Sequence, residues 1–327
     1  MKNEVIKEIE QKMANILNNE QKEKLKEVLL YTFYNIEITN VKEEFIKDTT
    51  DYASLFISAK RIEGCSERTL NYYETTINNM LEKINKKVNY IETEELRNYL
   101  SEYQAKNNCG KVTIDNVRRI LSSFFAWLED EDYIVKSPVR RIHKVKATQT
   151  VKETYTDEEL EEMRDACQEI RDLAMIDFLS STGVRVGELV KLDIVDINMQ
   201  ERSCVVLGKG GKEREVYFDA RTKIHLQNYL NTRIDKNSAL FVSLLKPYNR
   251  LNISGVEIRL RKLGKRTNIR KVHPHKFRRT MATKAIDKGM PIEQVQVLLG
   301  HRKIDTTLQY AMVNQNNVRN SHKKFIC

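Results

Sequence analysis

Five short segments of this chain carry residue types suited to holding and cutting a phosphodiester. Ser181-Thr182-Gly183-Val184-Arg185-Val186-Gly187-Glu188-Leu189 sets Arg185 just behind a small-residue turn, where glycine lets backbone come close to a ligand. Gly208-Lys209-Gly210-Gly211-Lys212 is a glycine-rich turn with Lys209 at its tip. It lacks the G-x-x-x-x-G-K-[ST] spacing and leads into a strand, so it is not a nucleotide-binding loop. In His273-Pro274-His275-Lys276-Phe277-Arg278-Arg279, Pro274 suits the first turn of a helix, and His275 and Arg278, three apart, share one face. A guanidinium fork grips two non-bridging oxygens, and an imidazole moves a proton near neutral pH. Leu298-Leu299-Gly300-His301 and Asp305-Thr306-Thr307-Leu308-Gln309-Tyr310 complete the set. Alone, each has an ordinary reading: Arg185 paired with Glu188, Lys209 in a solvated turn, His301 on helix-end carbonyls, Tyr310 as one of 14 tyrosines half-buried in a core.

In combination the segments say more. The order T-G-x-R-x-x-E-L, G-K-G-x-K, P-H-K-x-R, L-G-H, T-T-x-x-Y closely resembles the catalytic domain of tyrosine recombinases, of the integrase and Xer type, over about residues 150–315. The helical region before it looks like that family's core-binding domain. By this resemblance Arg185, Lys209, His275, Arg278, His301 and Tyr310 occupy the six active-site positions. Arg279 stands where many members carry a second histidine, a position outside the six.

The resemblance implies that Tyr310 attacks the scissile phosphorus, the bond to the 5′-oxygen breaks, and a 3′-phosphotyrosine forms. A tyrosine of ordinary pKa, about 10, is only about one-thousandth phenolate at pH 7, so it needs a base or a cationic surrounding. Arg185 and Arg278, assisted by His301, would brace the non-bridging oxygens. His275 would act as base for the phenol or as a further phosphate ligand, and Lys209 would protonate the leaving oxygen. A partner strand's 5′-hydroxyl can reverse the step, so bond energy is kept and no nucleotide or other cofactor is implied. No metal is implied either, since no carboxylate pair or Cys/His cluster suits Mg²⁺ or Zn²⁺. The partners implied are double-stranded DNA at specific recombination sites, accessory DNA-bending proteins, and further copies of the chain in a tetrameric synapse. In that synapse the short tail with Val318, Phe325 and Ile326 docks in trans. Related chemistry belongs to type IB topoisomerases and telomere resolvases, and a catalytically silent DNA-binding protein would share the fold. A chromosome-dimer resolvase and a mobile-element integrase share the five motifs; the acidic-leaning N-terminus favours the latter.

The elements that must position these residues read as mainly α, with a small antiparallel sheet in the catalytic domain. Residues 1–45 form a helical appendage with apolar stripes at Ile6, Ile9, Met13, Ile16 and Leu17, then Leu25, Val28 and Leu29. Its 7 basic and 9 acidic residues favour protein contact over phosphate. Residues 46–135 are a helical core-binding domain, with Ser66 and Thr93 as expected N-caps. Its core stripe is Val117, Ile120, Leu121, Phe124, Phe125 and Leu128, with Trp127 at the edge. Residues 136–152 are expected to be an extended basic linker. The catalytic domain, 153–327, opens on a Thr156/Glu159 capping box, with strands expected at Asp193–Asn198, Cys204–Leu207 and Glu213–Phe218 and helices thereafter.

Charge agrees with a polyanionic partner. The net charge is +10 and Arg259–Lys284 carries 11 Lys or Arg residues without an acid, a one-sign block expected to face phosphates. No apolar run approaches the roughly 20 residues of a membrane span, and the first residues lack a signal peptide's apolar stretch. Five scattered cysteines without a C-x-x-C pair read as free thiols, and the expected location is cytoplasmic.

Overall fold

The computed structural model describes residues 2–13, 16–36, 50–146, 153–208, 211–301 and 303–311. The chain divides into two units, Met1–Thr148 and Gln149–Cys327.

The first unit is all helical: α1 (Lys2–Met13), α2 (Asn19–Thr32), α3 (Tyr52–Ile62), α4 (Glu67–Ile84), α5 (Thr93–Asn107) and α6 (Lys111–Asp130). Ser66 caps α4 as expected, its side chain accepting from the Thr69 amide. The cap of α5 is Glu92 instead, because Thr93 turns its hydroxyl to donate to the Pro138 carbonyl at 2.7 Å. The apolar stripe of α6 faces a core built on Phe56, Leu70, Ile77, Met80 and Leu96, with Phe124 set edge-on to Phe56 at 5.5 Å. Trp127 packs at the edge of that core against Phe56. In the appendage α1 buries Ile6, whereas α2 buries nothing, so its expected stripe is at most partly covered.

The expected extended linker is not extended where it is described. Pro138–Arg141 forms a 3₁₀ turn, Val139 is buried, and Ile142 and Val145 pack on the same core. Arg140 pairs with Glu129, and the Val145 amide donates to Asp115. Apolar residues at every third position outweigh the surrounding charge, so the segment folds back as part of the first unit.

The second unit comprises α7 (Asp157–Asp165), α8 (Ile170–Thr182), the single turn α9 (Val186–Leu189), a three-stranded sheet and five further helices. The strands β1 (Ile197–Asn198), β2 (Ser203–Leu207) and β3 (Glu213–Tyr217) pair antiparallel in sequence order. The helices are α10 (Ala220–Asn231), α11 (Ile253–Arg266), α12 (Pro274–Asp287), α13 (Ile292–Leu299) and α14 (Ile304–Ala311). The Thr156/Glu159 capping box is present. Asp193–Asn198 is a strand only at its last two residues; Ile194–Asp196 forms a 3₁₀ turn, closed as the Asp196 carboxylate accepts from the Asp193 amide. The core joins α8, buried on most sides, to β2, β3, α10 and α11 through Phe178, Val206, Val216, Leu226 and Leu260. Cys65, Cys109, Cys167 and Cys204 are free thiols. Among the described residues no helix is long and apolar enough to cross a membrane.

Candidate active site

Two glycines end helices in the left-handed conformation and so explain why the motifs contain them. Gly183 closes α8 at φ +60°, and Gly300 closes α13 at φ +63°. Glycine adopts this conformation without a Cβ penalty, and it leaves the last helix carbonyls open to outside donors. Arg278, from the first turns of α12, uses them: Nη1 donates to the Gly183 carbonyl at 2.7 Å and Nη2 to that of Leu299. Arg185, leading into α9, donates through Nη2 to the Gly300 carbonyl at 3.3 Å. A third arginine, Arg214 of β3, donates through Nε to the Leu298 carbonyl at 2.8 Å. Three consecutive carbonyls at the end of α13 are thus each taken by a different guanidinium, at the helix end whose dipole favours cations.

Glu188 ties two of these arginines together. Arg214 forks onto its carboxylate at 2.9 and 2.7 Å, and Arg185 Nη1 and backbone amide each reach it at 2.8 Å. The carboxylate is 5% exposed. Burial alone would raise its pKa, but hydrogen bonds from Arg214 and Arg185 outweigh that and hold it at about 2. Three guanidiniums against one carboxylate leave two positive charges on this group. A phosphodiester carries one negative charge, and its five-coordinate transition state gathers nearly two.

His301 follows Gly300 and touches both sides of the cluster. Its Nε2 lies 3.1 Å from Arg278 Nη2 and its Nδ1 2.9 Å from the hydroxyl of buried Thr307 in α14. Arginine cannot accept, so Nε2 is the acceptor and the ring carries its proton on Nδ1, which donates to Thr307. Burial, together with the fields of Arg278, Arg185 and Arg214, pushes its pKa down to about 4. His301 should therefore be neutral at pH 7 and give ¹⁵N shifts of the Nδ1–H tautomer down to about pH 5; titration near 6.5 would contradict this. The linkage has a definite sign. Between about 4 and 6.5 the unfolded chain binds more protons at this ring, so its contribution to stability falls as pH drops through that window.

His275 faces solvent one turn before Arg278 on α12, and partial desolvation with the fields of Arg278 and Arg185 lowers its pKa. Tyr310 lies in α14, three residues beyond Thr307; its side chain and Lys209 lie outside the described parts of the structure. The structure thus joins Arg185, Arg278 and His301 by direct contacts and places His275 within their field. The sequence reading missed Arg214. The signal for it was a charged residue in phase with inward-facing Val216 on β3.

The basic block is divided in use. Arg259 pairs with Asp172 at 2.5 Å, Lys284 pairs with Asp157, and Lys276 is buried with Nζ 4.3 Å from the centre of the Tyr155 ring. Arg261, Lys262, Lys265, Arg266, Arg270 and Lys271 remain exposed. Among the described residues no cluster of His, Cys, Asp and Glu is arranged to hold a metal.

Comparison with known proteins identifies the architecture. Residues 153–317 match the phage integrase family, and residues 54–134 match the phage integrase N-terminal SAM-like domain. Tyrosine recombinase XerC of Staphylococcus aureus is 30% identical over 277 residues, covering 81% of this chain and 92% of the relative. The XerH site-specific recombinase bound to a palindromic difH substrate has the same fold, with a TM-score of 0.67 at 20% identity, covering 97% of this chain and 93% of that one. The Tn1549 transposon integrase with circular intermediate DNA superposes at a TM-score of 0.68 and 19% identity, covering 83% and 98% of the two chains. The chain belongs to the tyrosine recombinase (phage integrase) family, the enzymes that cleave and rejoin DNA strands at specific sites.

Proposed function

We propose that Tyr310 is the nucleophile of this recombinase, with Arg185, Arg278 and His301 holding the scissile phosphate, His275 serving as proton acceptor and Lys209 as proton donor. The observation that carries this reading is the convergence of Arg185 and Arg278 on consecutive carbonyls at the end of α13, beside neutral His301, whose other nitrogen bonds the helix of Tyr310. Donors fixed before substrate arrives need little reorganisation as charge develops. No step needs a nucleotide, because the phosphotyrosine conserves the bond energy of the strand.

Lys209 separates the proton-donor role from simple charge. Lys209→Ala should slow cleavage of an ordinary duplex by about 10²-fold, within the range for general acids. It should cleave a 5′-bridging phosphorothiolate almost as fast as wild type, since a thiolate leaves without a proton. An equal defect on both substrates would refute the assignment.

Two duplexes held by four copies, with the tail after Tyr310 reaching a neighbour, fit this chemistry, and accessory DNA-bending proteins fit the specific sites. Mixing two labelled duplexes should yield exchanged strands; relaxation of supercoils without exchange would point to topoisomerase-like activity instead. The acidic-leaning residues 1–45 favour a mobile-element integrase acting in the cytoplasm. Mapping fragments bound from the native host's genome checks this: element ends support it, and a chromosome-dimer site contradicts it.

The six exposed cations from Arg261 to Lys271 are proposed to contact backbone phosphates. DNA affinity should then fall by about 10³-fold between 50 and 200 mM salt. A flat response would mean that these charges are only solvated.

A further inference from the structure

We propose that Arg214 is a positioning residue for strand cleavage: it saturates Glu188 and so keeps Arg185 available to the scissile phosphate. This rests on the reading of Arg185 given above.

Arg214 sits on β3 in phase with buried Val216, so its side chain is carried inward. It is 9% exposed. Both terminal nitrogens are spent on the two Glu188 oxygens, at 2.9 and 2.7 Å, and Nε is spent on the Leu298 carbonyl at 2.8 Å. The stem lies so close to Gly300 that a Cβ there would come within 3.0 Å of Cδ, which leaves Arg214 little room to move. Arg185 is bound more loosely. One terminal nitrogen reaches a single Glu188 oxygen at 2.8 Å, the other a carbonyl at 3.3 Å, and the side chain is 32% exposed.

The asymmetry has a consequence. A buried carboxylate demands a full set of donors, and leaving it short is costly. Without Arg214, the nearest guanidinium already bonded to Glu188 is that of Arg185. The fork geometry of a bidentate pair would then draw Arg185 onto the carboxylate and away from a phosphate. Arg214 therefore acts through Arg185, by occupying the competitor for it.

The test uses the full chain and single-turnover cleavage of a nicked duplex. One substrate carries the normal phosphodiester, and the other a methylphosphonate at the scissile position, which removes the charge that Arg185 is there to offset. Arg214→Met should cleave the phosphodiester about 10²-fold more slowly than wild type, the scale of losing one fixed donor in such a site. On the methylphosphonate the gap between the two proteins should shrink at least tenfold. Equal slowing on both substrates, or cleavage at the wild-type rate, would overturn the proposal. Should Arg214→Met not fold, Arg214→Lys gives the same comparison, because one ammonium cannot fill both Glu188 oxygens and the Leu298 carbonyl. Tyr310→Phe, run in parallel, separates the two claims. An adduct from Tyr310→Phe would remove the underlying reading, while a dead Tyr310→Phe beside a fully active Arg214→Met would remove this proposal alone.

Discussion

Arg278→Met should reduce single-turnover cleavage by about 10³-fold while leaving DNA affinity within a few-fold of wild type, as expected for a fixed donor or arginine that acts on charge in the transition state. Arg278 is buried, with its guanidinium fixed by the carbonyls of Gly183 and Leu299 and by His301. On the proposed reading such placement contributes little to ground-state grip, which would fall to the exposed cations from Arg261 to Lys271. It contributes most where the phosphorane gathers its second negative charge. Removing it also uncovers two helix-end carbonyls, which adds about 1–3 kcal/mol of destabilisation per unsatisfied group. A thermal melt must therefore accompany the rate. Arg278→Lys should recover part of the stability but little of the rate, because an ammonium cannot reproduce a planar fork across two carbonyls. Cleavage by Arg278→Met within about tenfold of wild type, well short of the loss expected for such a donor, would mean that Arg278 is structural.

The neutral state of His301 fits the same electrostatics. Burial first, and then three nearby guanidiniums, make an imidazolium unfavourable, so in the free protein the ring accepts from Arg278 and donates to Thr307. An incoming phosphate would relieve that field and favour a proton on Nε2, where it can be donated to an oxygen.

Much of this was legible in the residues. T-G-x-R and L-G-H each hold a glycine because an αL helix end is required where an arginine takes the carbonyl, and both glycines prove to be such ends. The capping box at Thr156, the Pro274 helix start and the α6 stripe follow from local rules that tertiary context did not override. Arg214 escaped because its meaning depends on partners 26 and 84 residues away, which no local pattern reports. Of the linker expected at 136–152, the described residues pack instead of extending, because Val139, Ile142 and Val145, at every third position, mark a packed turn that a count of charges does not report. The basic block was read as one surface, yet Arg259, Lys276 and Lys284 are used inside the unit, on Asp172, Tyr155 and Asp157. A charge count cannot tell a cation facing DNA from one already paired.

The nucleophile is the central claim. Tyr310→Phe removes a single oxygen and keeps the ring, so folding and DNA binding should be unchanged while covalent chemistry ends. Nicked suicide DNA, in which the cleaved fragment diffuses away, should trap the wild-type protein as a covalent adduct that survives a denaturing gel. Tyr310→Phe should give no such band at any time point, with the same gel-shift affinity as wild type. A covalent adduct formed by Tyr310→Phe would place the nucleophile elsewhere and contradict the account.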